Sequence, residues 1–402
     1  MVGGRRDGAR RWGSLAQPQD RGPKPYKFIG FGTIHGPKPY KFIGFGDLHG
    51  PKPYEFIGFG PYLRKQASNS SSGSPSAEFV EGVETVPPVS TSLRSRPKGS
   101  ASVVFDLLFA TMNRGPVIIE AAINGNRTKE HNPNVPRSHE ELAADTLEAL
   151  AAGASIIHNH GSVFGDPQEV ADDYLAGWMP VFAERPDALL YPTANYGPNG
   201  LDFEHLHLLA ETGLMKVSLC DPGSTNLGGI DADGLPAAGI VYSNSYDSIR
   251  VQMEQAAADR VGPSLAIYEP AFLRTTLLYW KAGKLPAGSM IKFYLSTERG
   301  YLGAPFGLPP TKLALDAYLE MLGDCPVPWA LSVVGGDPVE SGLAEYAIER
   351  GGHLHVGLEF YGGDRQPTNA ELTRNAAEVC ERMGVAVATC DEAAEILGLP
   401  RR

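Results

Sequence analysis

The sequence predicts an α/β fold of the (β/α)8 barrel class, preceded by a largely disordered N-terminal region. Two observations in residues 101–402 predict the barrel. Short apolar runs alternate with helical patterns, and most of the runs are continuously apolar, as in parallel strands that are buried on both faces. The eight runs are VIIEAAI (117–123), ASIIHNH (154–160), ALLYPTA (188–194), KVSLC (216–220), SLAIYEP (264–270), MIKFYLS (290–296), WALSVV (329–334) and HLHVGLEF (353–360).

The helical patterns between the runs have recognisable ends. Ser138 with Glu141, and Thr368 with Glu371, each form the Ser/Thr-x-x-Glu pattern of a capping box ahead of an apolar stripe. Eight strands, each followed by a crossover helix, favour a closed barrel. A ninth apolar run, GIVYSN (239–244), lies in a long insertion after the fourth strand. If that run pairs, the strand count changes, and a doubly wound open sheet is the alternative.

The chain before the barrel divides into three segments. Residues 1–21 are basic and are expected to be disordered. Residues 22–63 hold three copies of a 14-residue phrase, in which Pro-Lys-Pro-Tyr is followed by Phe-Ile-Gly-Phe-Gly. Residues 64–100 are rich in Ser and Pro and have too little apolar mass to offset the entropy of ordering, so they are expected to form a linker.

Composition limits the function classes. The net charge of -11 over 402 residues argues against non-specific binding of nucleic acid or of acidic membranes. No apolar stretch is long enough to span a bilayer, so we expect no membrane partner. The four cysteines are widely spaced and form no CxxC pair, which favours free buried thiols and a cytoplasmic location.

A pair of histidines, His158 and His160, ends the second predicted strand. Residues two apart on a strand point the same way, with Cα atoms roughly 6.6 to 7 Å apart, so both imidazoles can reach one metal ion. The C-terminal ends of barrel strands form the face where catalytic groups gather. The alternative is that one or both histidines are ordinary polar residues at a strand end.

The eighth predicted strand offers a third metal ligand. Its alternating positions His353, His355, Gly357 and Glu359 share one face, with Glu359 at the C-terminal end. In a closed barrel the second and eighth strands both flank the first, so Glu359 and the histidine pair can meet above it. Two histidines and a carboxylate with an open position are typical of catalytic zinc, with nickel, iron or manganese as alternatives. The alternative is that Glu359 binds no metal and forms an ion pair with an arginine.

These residues resemble a known family, the β-keto acid cleavage enzymes typified by 3-keto-5-aminohexanoate cleavage enzyme. The resemblance covers most of residues 115–400. It implies a zinc-dependent barrel in which His158, His160 and Glu359 hold the metal. It also implies a β-keto acid substrate, acetyl-CoA as a possible co-substrate, and a homo-oligomer. The matching stretches are PVIIEAAINGNRT, NPNVPRSHEELAADTLEALAAGASIIHNH, SLCDPGSTNLG, IYEPAF, GGHLHVGLE and NAAEVCERMGVAVATCDEAAEILGL.

The sequence departs from the family pattern at several positions. His355 and Phe360 stand where the family has an arginine and an aspartate, Arg127 stands at an acidic position, and Pro192 replaces a serine while Thr193 is kept. We therefore expect the metal site to remain and the substrate to change. The expected catalytic residues are His355, Glu269, Thr193 and Glu120, and the expected substrate-binding residues are Arg127, Asn195, Ser224 and Asn226.

Most of these candidates have an alternative interpretation. His355 can be a packed histidine, and Glu269 can be a structural carboxylate. Asp221 is a weaker candidate, because the DPGSTN stretch (221–226) that contains it is also typical of a turn. Glu120 on the first strand requires a partner such as Arg127 or a histidine, because an unpaired buried charge is costly.

Three functions remain open from the sequence. The favoured hypothesis is zinc-dependent carbon-carbon cleavage or condensation of the retro-Claisen type on a β-keto acid. A second is an enzyme that modifies a peptide, with its own N-terminal repeats as the substrate segment. A third is a protein that retains the metal but uses it for binding, because the expected arginine and aspartate are absent.

Overall fold

A computed structural model describes residues 115–197 and 200–401 of the chain. The predicted basic segment (1–21), the repeats (22–63) and the linker (64–100) lie outside the described residues, as do residues 101–114 of the predicted barrel domain.

Eight parallel strands form one sheet whose spatial order follows the chain. Hydrogen-bonded ladders run from β3 through β2, β1, β12, β11, β10 and β9 to β6. The two ends of this series, β3 and β6, lie side by side and complete the ring. The predicted (β/α)8 barrel is confirmed. Its strands are β1 (Ile119–Ala122), β2 (Ile156–Asn159), β3 (Leu190–Pro192), β6 (Val217–Cys220), β9 (Gly262–Ile267), β10 (Met290–Ser296), β11 (Trp329–Val334) and β12 (His353–Val356).

A helix follows each barrel strand and covers the outside of the sheet, and a ninth helix ends the described chain. Both predicted capping boxes are present, and Thr389 forms a third with Glu392. The helices are α1 (His139–Ala151), α2 (Pro167–Glu184), α3 (Glu204–Glu211), α4 (Tyr246–Ala258), α5 (Pro270–Lys281), α6 (Lys312–Leu322), α7 (Ala344–Glu349), α8 (Asn369–Arg382) and α9 (Cys390–Leu397).

The ninth apolar run does form a strand, but not in the barrel. It belongs to β8 (Pro236–Tyr242), which pairs antiparallel with β7 (Thr225–Ile230) in a separate two-stranded hairpin. A shorter hairpin of β4 (Asn195–Gly197) and β5 (Gly200–Asp202) follows β3. Both hairpins are inserted at the C-terminal ends of barrel strands. The doubly wound open sheet is therefore excluded.

The strands are buried along their whole length because helices cover one face and interior side chains fill the other. Every residue of β2, β9, β10 and β11 is buried. All four cysteines are buried thiols that form no disulfide with one another, as predicted. In the described part of the chain, no helix has the length and apolar character needed to cross a membrane.

Asn369, the first residue of α8, joins three parts of the barrel mouth. Its side chain donates to the Ile123 carbonyl at 2.8 Å and to the Asp145 carboxylate at 2.6 Å, and it accepts from the Leu358 amide at 2.9 Å. Asn369 is fully buried. It thereby ties the segment after β1 to the segment after β12.

We expect Asn369→Ala to lower the free energy of unfolding by about 2–4 kcal/mol, because the substitution leaves a buried amide and a buried carbonyl without partners. Urea denaturation measures this change. Arg374→Ala, at an exposed position of the same helix, is the control and should change the stability by less than about 0.5 kcal/mol. Equal losses in the two variants would contradict the joining role.

Candidate active site

Three buried side chains converge at the C-terminal mouth of the barrel. His158 Nε2 lies 3.4 Å from one carboxylate oxygen of Glu359, and His160 Nε2 lies 3.3 Å from the other. One ligand atom from each of the three residues lies within 4.8 Å of the others. The structure thus brings together the two histidines of the second strand and the glutamate that follows the eighth.

Asn124, in the segment after β1, fixes the backbone of His160. Its side-chain oxygen accepts from the His160 amide at 2.8 Å, and its side-chain nitrogen donates to the His160 carbonyl at 3.0 Å. The chain then turns at Gly161, where an added Cβ would lie 2.6 Å from a carboxylate oxygen of Asp173. The same carboxylate accepts from the Ser162 amide at 2.7 Å. These bonds set the direction in which the histidine pair faces.

Glu359 does not reach the site by strand alternation alone, because β12 ends at Val356. Gly357 follows with φ of +121°, and its position would place a Cβ 2.2 Å from the Ala122 carbonyl. The Glu359 amide then donates to that same carbonyl at 3.1 Å. A glycine with a positive φ therefore turns the chain over the end of β1 and aims the carboxylate at the histidines.

Two further side chains hold Glu359. Arg127 Nε donates to the Glu359 backbone carbonyl at 3.2 Å. The Tyr301 hydroxyl, from the segment after β10, donates to a Glu359 carboxylate oxygen at 3.3 Å. Arg127, expected to bind substrate, thus contacts the backbone of the third candidate ligand.

The charge states of the three side chains suit a cation. Burial lowers the pKa of His158 to about 3, so its imidazole is neutral at physiological pH. Burial by itself would raise the pKa of Glu359, but the neighbouring His160 and His158 hold it below its ordinary value. The site therefore combines a neutral imidazole, that of His158, with one carboxylate.

The three residues fit a divalent metal ion. Within the described residues, Glu359 Oε2 and the Nδ1 atoms of both histidines have no hydrogen-bond partner although they are buried. A buried carboxylate oxygen without a donor is unfavourable unless a cation or water compensates it. Two imidazoles and one carboxylate form the donor set of many catalytic zinc sites. The same set also binds other transition metals.

A second polar cluster lies inside the barrel next to the three candidate ligands, where the Tyr191 ring lies 4.5 Å from that of His158. Lys292 Nζ lies 3.1 Å from Glu120 Oε1 and donates to the Tyr191 hydroxyl at 2.6 Å. The Tyr191 hydroxyl donates to the same oxygen of Glu120. His355 Nε2 lies 3.4 Å from it. All four side chains are almost completely buried. We call this set, Glu120, Tyr191, Lys292 and His355, the interior cluster.

The interior cluster supplies the partner that Glu120 requires. That partner is mainly Lys292 with Tyr191, while Arg127 contacts Glu359 instead. Burial lowers the pKa of His355 well below its ordinary value, and its ring stacks on Tyr294 with 5.7 Å between centroids. His355 is therefore a neutral histidine inside the barrel.

A pocket opens above the three candidate ligands. Its walls are rich in aromatic side chains, and its roof comes from the β7–β8 hairpin and the segment after β10. Phe360, at the position where the family has an aspartate, contributes a ring that packs 5.0 Å from Tyr294. The polar residues that line the pocket are Asn126, His158, His160, Thr193, Asp221, Lys292 and Glu359.

The other expected site residues lie in different surroundings. Thr193 lines the pocket. Asn195 accepts from the Gly165 amide at 3.0 Å and donates to the Gly165 carbonyl at 2.9 Å. Glu269 accepts from the Thr225 hydroxyl and from the Gly307 amide at 3.2 and 3.0 Å. The last two predicted residues, Ser224 and Asn226, are exposed.

Sequence reasoning missed four residues of the site and its surroundings. Lys292 and Tyr191 lie inside apolar runs. The alternation of side chains along a strand could have identified both as polar residues that face the barrel interior. Tyr301 and Tyr242 lie in insertions, and no sequence signal could have placed either beside a strand end. The Tyr242 hydroxyl donates to Asp221 at 2.5 Å.

The interior cluster predicts non-additive substitutions. Lys292→Met should lower the free energy of unfolding by about 3–5 kcal/mol, because it leaves the Glu120 carboxylate buried without its cation. The double variant Lys292→Met with Glu120→Gln should recover part of that loss, since both charges are gone. Urea denaturation of both single variants and the double variant gives the coupling.

The control for this pair is the exposed ion pair of Arg382 and Glu345, which are 2.9 Å apart. Arg382→Met should cost less than about 1 kcal/mol. Strictly additive losses at Lys292 and Glu120 would contradict a coupled interior pair.

Gly125→Ala should weaken metal binding without changing a ligand. Gly125 has φ of +53°, and a Cβ there would lie 2.3 Å from Glu359 Cγ. The methyl group must displace the carboxylate, so we expect about tenfold weaker affinity or more for added Zn²⁺, measured by competition with a chromogenic chelator.

Gly213→Ala is the matched control, because Gly213 also has a positive φ, of +76°, but its Cβ would meet nothing within 4 Å. Gly213→Ala should lower the free energy of unfolding by about 1–2 kcal/mol, because an alanine is strained at a positive φ. It should bind Zn²⁺ like the wild type. Equal loss of affinity in both variants would point to general destabilisation.

Comparison with known proteins agrees with this geometry. Residues 116–399 match a family model described as beta-keto acid cleavage enzyme. A 3-keto-5-aminohexanoate cleavage enzyme of Acetoanaerobium sticklandii is 26% identical over 293 residues, which cover 71% of this chain and 99% of that protein. The resemblance predicted from the motifs is confirmed.

Two further relatives carry names that include acetyl-CoA. A 3-oxoadipate:acetyl-CoA acetyltransferase of Cupriavidus necator is 26% identical over 292 residues, covering 71% of this chain and 95% of that protein. A 3-dehydrocarnitine:acetyl-CoA trimethylamine transferase of Rhizobium meliloti is 24% identical over 316 residues, covering 73% and 99%. The relatives are thus enzymes that act on different acids, and the matched part of this chain is an enzyme of the same type.

Proposed function

Because this chain belongs to the beta-keto acid cleavage enzyme family, we propose that it catalyses metal-dependent cleavage or condensation of a carbon-carbon bond in a β-keto acid. The reaction class is acyl transfer of the retro-Claisen type, with acetyl-CoA as co-substrate. The observation that carries the proposal is the convergence of His158, His160 and Glu359 at the mouth of the barrel.

The three residues would hold the metal, and zinc suits their donor set best. When bound, the ion supplies a Lewis acid next to the pocket, which favours negative charge on a keto oxygen. Asn124, Gly357 and Tyr301 keep the donors in place, and the aromatic walls exclude bulk water, which strengthens electrostatic contacts inside the pocket.

Lys292 would recognise the substrate carboxylate. Among the described residues that line the pocket, it is the one lysine or arginine. The position of the family arginine holds His355, which lies in the interior cluster and contacts Glu120 at 3.4 Å. We assign Lys292 the role of that arginine, with Glu120, Tyr191 and His355 orienting its ammonium group from below.

The remaining expected residues receive different roles. Thr193 lines the pocket and would contact substrate. Asn195 and Glu269 hold loops through the bonds described above, and Arg127 holds Glu359. Ser224 bonds the backbone of Asn244 and would fix the end of the β7–β8 hairpin. Asn226 lies in β7 and is exposed, where no contact supports a role in binding.

Metal analysis joined to an activity panel tests the proposal. Purified full-length protein should contain about one equivalent of divalent metal, and it should consume acetyl-CoA with at least one member of a β-keto acid panel. His158→Ala and Glu359→Ala should lose the metal, and activity should fall by at least a hundredfold. His207→Ala is the control, because His207 pairs with Asp259 at 2.8 Å on the surface, away from the pocket.

Two outcomes would contradict the proposal. Full metal content with no turnover of any acid would favour a binding protein. A mass shift on the N-terminal repeats after incubation with metal and acetyl-CoA, without turnover of small acids, would favour the peptide-modifying function.

A further inference from the structure

We propose that Asp221 is the general base of the pocket and takes the proton from the carbon between the keto group and the carboxylate of the substrate. This inference rests on the proposed function. The residue after Glu359, Phe360, packs its ring against Tyr294 and cannot accept a proton. Among the described residues that line the pocket, Asp221 is the one carboxylate besides Glu359, which is a candidate metal ligand.

Asp221 stands where a barrel enzyme places its catalytic groups. It directly follows β6, at the C-terminal end of a strand. Its side chain lines the same pocket as His158, His160 and Glu359. It is only 3% exposed, so bulk water has little access to its carboxylate.

One oxygen of Asp221 is held and the other is free. Oδ2 accepts from the Tyr242 hydroxyl at 2.5 Å. Oδ1 has no hydrogen-bond partner within the described part of the chain. A purely structural carboxylate would be expected to have both oxygens satisfied, because an unpaired buried oxygen costs free energy. The arrangement instead fixes the group through Oδ2 and leaves Oδ1 with a lone pair for a proton.

Burial brings the pKa of Asp221 close to neutral pH. Burial raises the pKa of Asp221 to about 6, against the lowering effects of the Tyr242 hydrogen bond, of Lys292 and of the Ala266 backbone amide. A base works best when its pKa lies close to the working pH, since it is then ionised and still basic. The titratable groups around it are Tyr196, Cys220, Tyr242, Tyr268, Lys292, Tyr294 and Glu359.

The proton balance of the step is simple. The bond between the α-carbon and its hydrogen breaks, the proton moves to Oδ1, and the electron pair is delocalised onto the keto oxygen as an enolate. In the absence of acetyl-CoA, Asp221 returns a proton, or in D2O a deuteron taken from solvent, from Oδ1 to the α-carbon, and the keto acid is restored. No oxidant or reductant is needed.

Hydrogen-deuterium exchange tests the step without acetyl-CoA. Full-length, metal-loaded protein in D2O is mixed with acetoacetate or 3-oxoadipate, and loss of the α-proton signal is followed by NMR against the uncatalysed rate. We expect Asp221→Asn to lower the catalysed exchange rate at least a hundredfold, with metal content and Tm unchanged. Asp233→Asn, an exposed aspartate in the turn of the same hairpin, should exchange like the wild type.

The pH profile separates a base from a structural carboxylate. The wild-type exchange rate should rise with pH through about 6 and level off above, because the base must be ionised. Tyr242→Phe removes the donor that lowers the pKa of Asp221, so the acidic limb should move to higher pH. A merely structural role would leave that limb unmoved. This variant also decides the matter if Asp221→Asn fails to fold.

The outcomes distinguish this inference from the proposed function. Exchange that depends on Asp221, in a protein that turns over no acid with acetyl-CoA, would support the base and contradict the proposed function. Turnover that survives in metal-loaded Asp221→Asn within threefold would overturn the base alone. A wild type that catalyses no exchange would overturn it as well.

Discussion

The approach of the Glu359 carboxylate to the imidazoles of His158 and His160 is the contact on which the site depends. A carboxylate buried to this extent is unfavourable unless positive charge or several donors compensate it, and the three side chains sit 3.3 to 3.4 Å apart at the end of the barrel. Several neighbouring residues therefore hold these three side chains in place. Asn124 fixes one histidine, Gly357 turns the backbone, and Gly125 leaves room for the carboxylate.

The positions at which the sequence departs from the expected family pattern can be interpreted together in the folded barrel. The chain lacks an arginine at 355 and an aspartate at 360, so two charges of opposite sign are missing from one strand end. The pocket nevertheless contains one cation, Lys292, and one further carboxylate, Asp221, each contributed by a different strand. These two charges come from β10 and from the end of β6, which line the same pocket as Glu359.

Most of the fold was predicted from the sequence, because the spacing of apolar residues differs between strands and helices. Continuously apolar runs, capping boxes and an alternating strand-helix order each predict a parallel sheet covered by helices, and the structure has all three. The ninth run was ambiguous, because a strand in a barrel and a strand in an inserted hairpin have the same local pattern. Only its partner β7 decides between them.

The sequence predicted the site residues that lie at the ends of barrel strands. It did not predict those that are brought to the site by inserted segments. His158, His160 and Glu359 follow from strand ends and ring order. Asn195 and Glu269 were expected at the site because they follow strands, yet their side chains bond to neighbouring loops. Lys292 was hidden in an apolar run. Tyr242 required knowing that the hairpin folds back on β6.

The β7–β8 hairpin has an evolutionary consequence. It bonds to itself and to the segment after β10, where the Ala304 amide donates to the Gly228 carbonyl, and it contributes Leu227, Ile240 and Tyr242 to the pocket roof. None of its residues belongs to the barrel ladders. The roof can therefore change in sequence and shape while His158, His160 and Glu359 below it keep their positions.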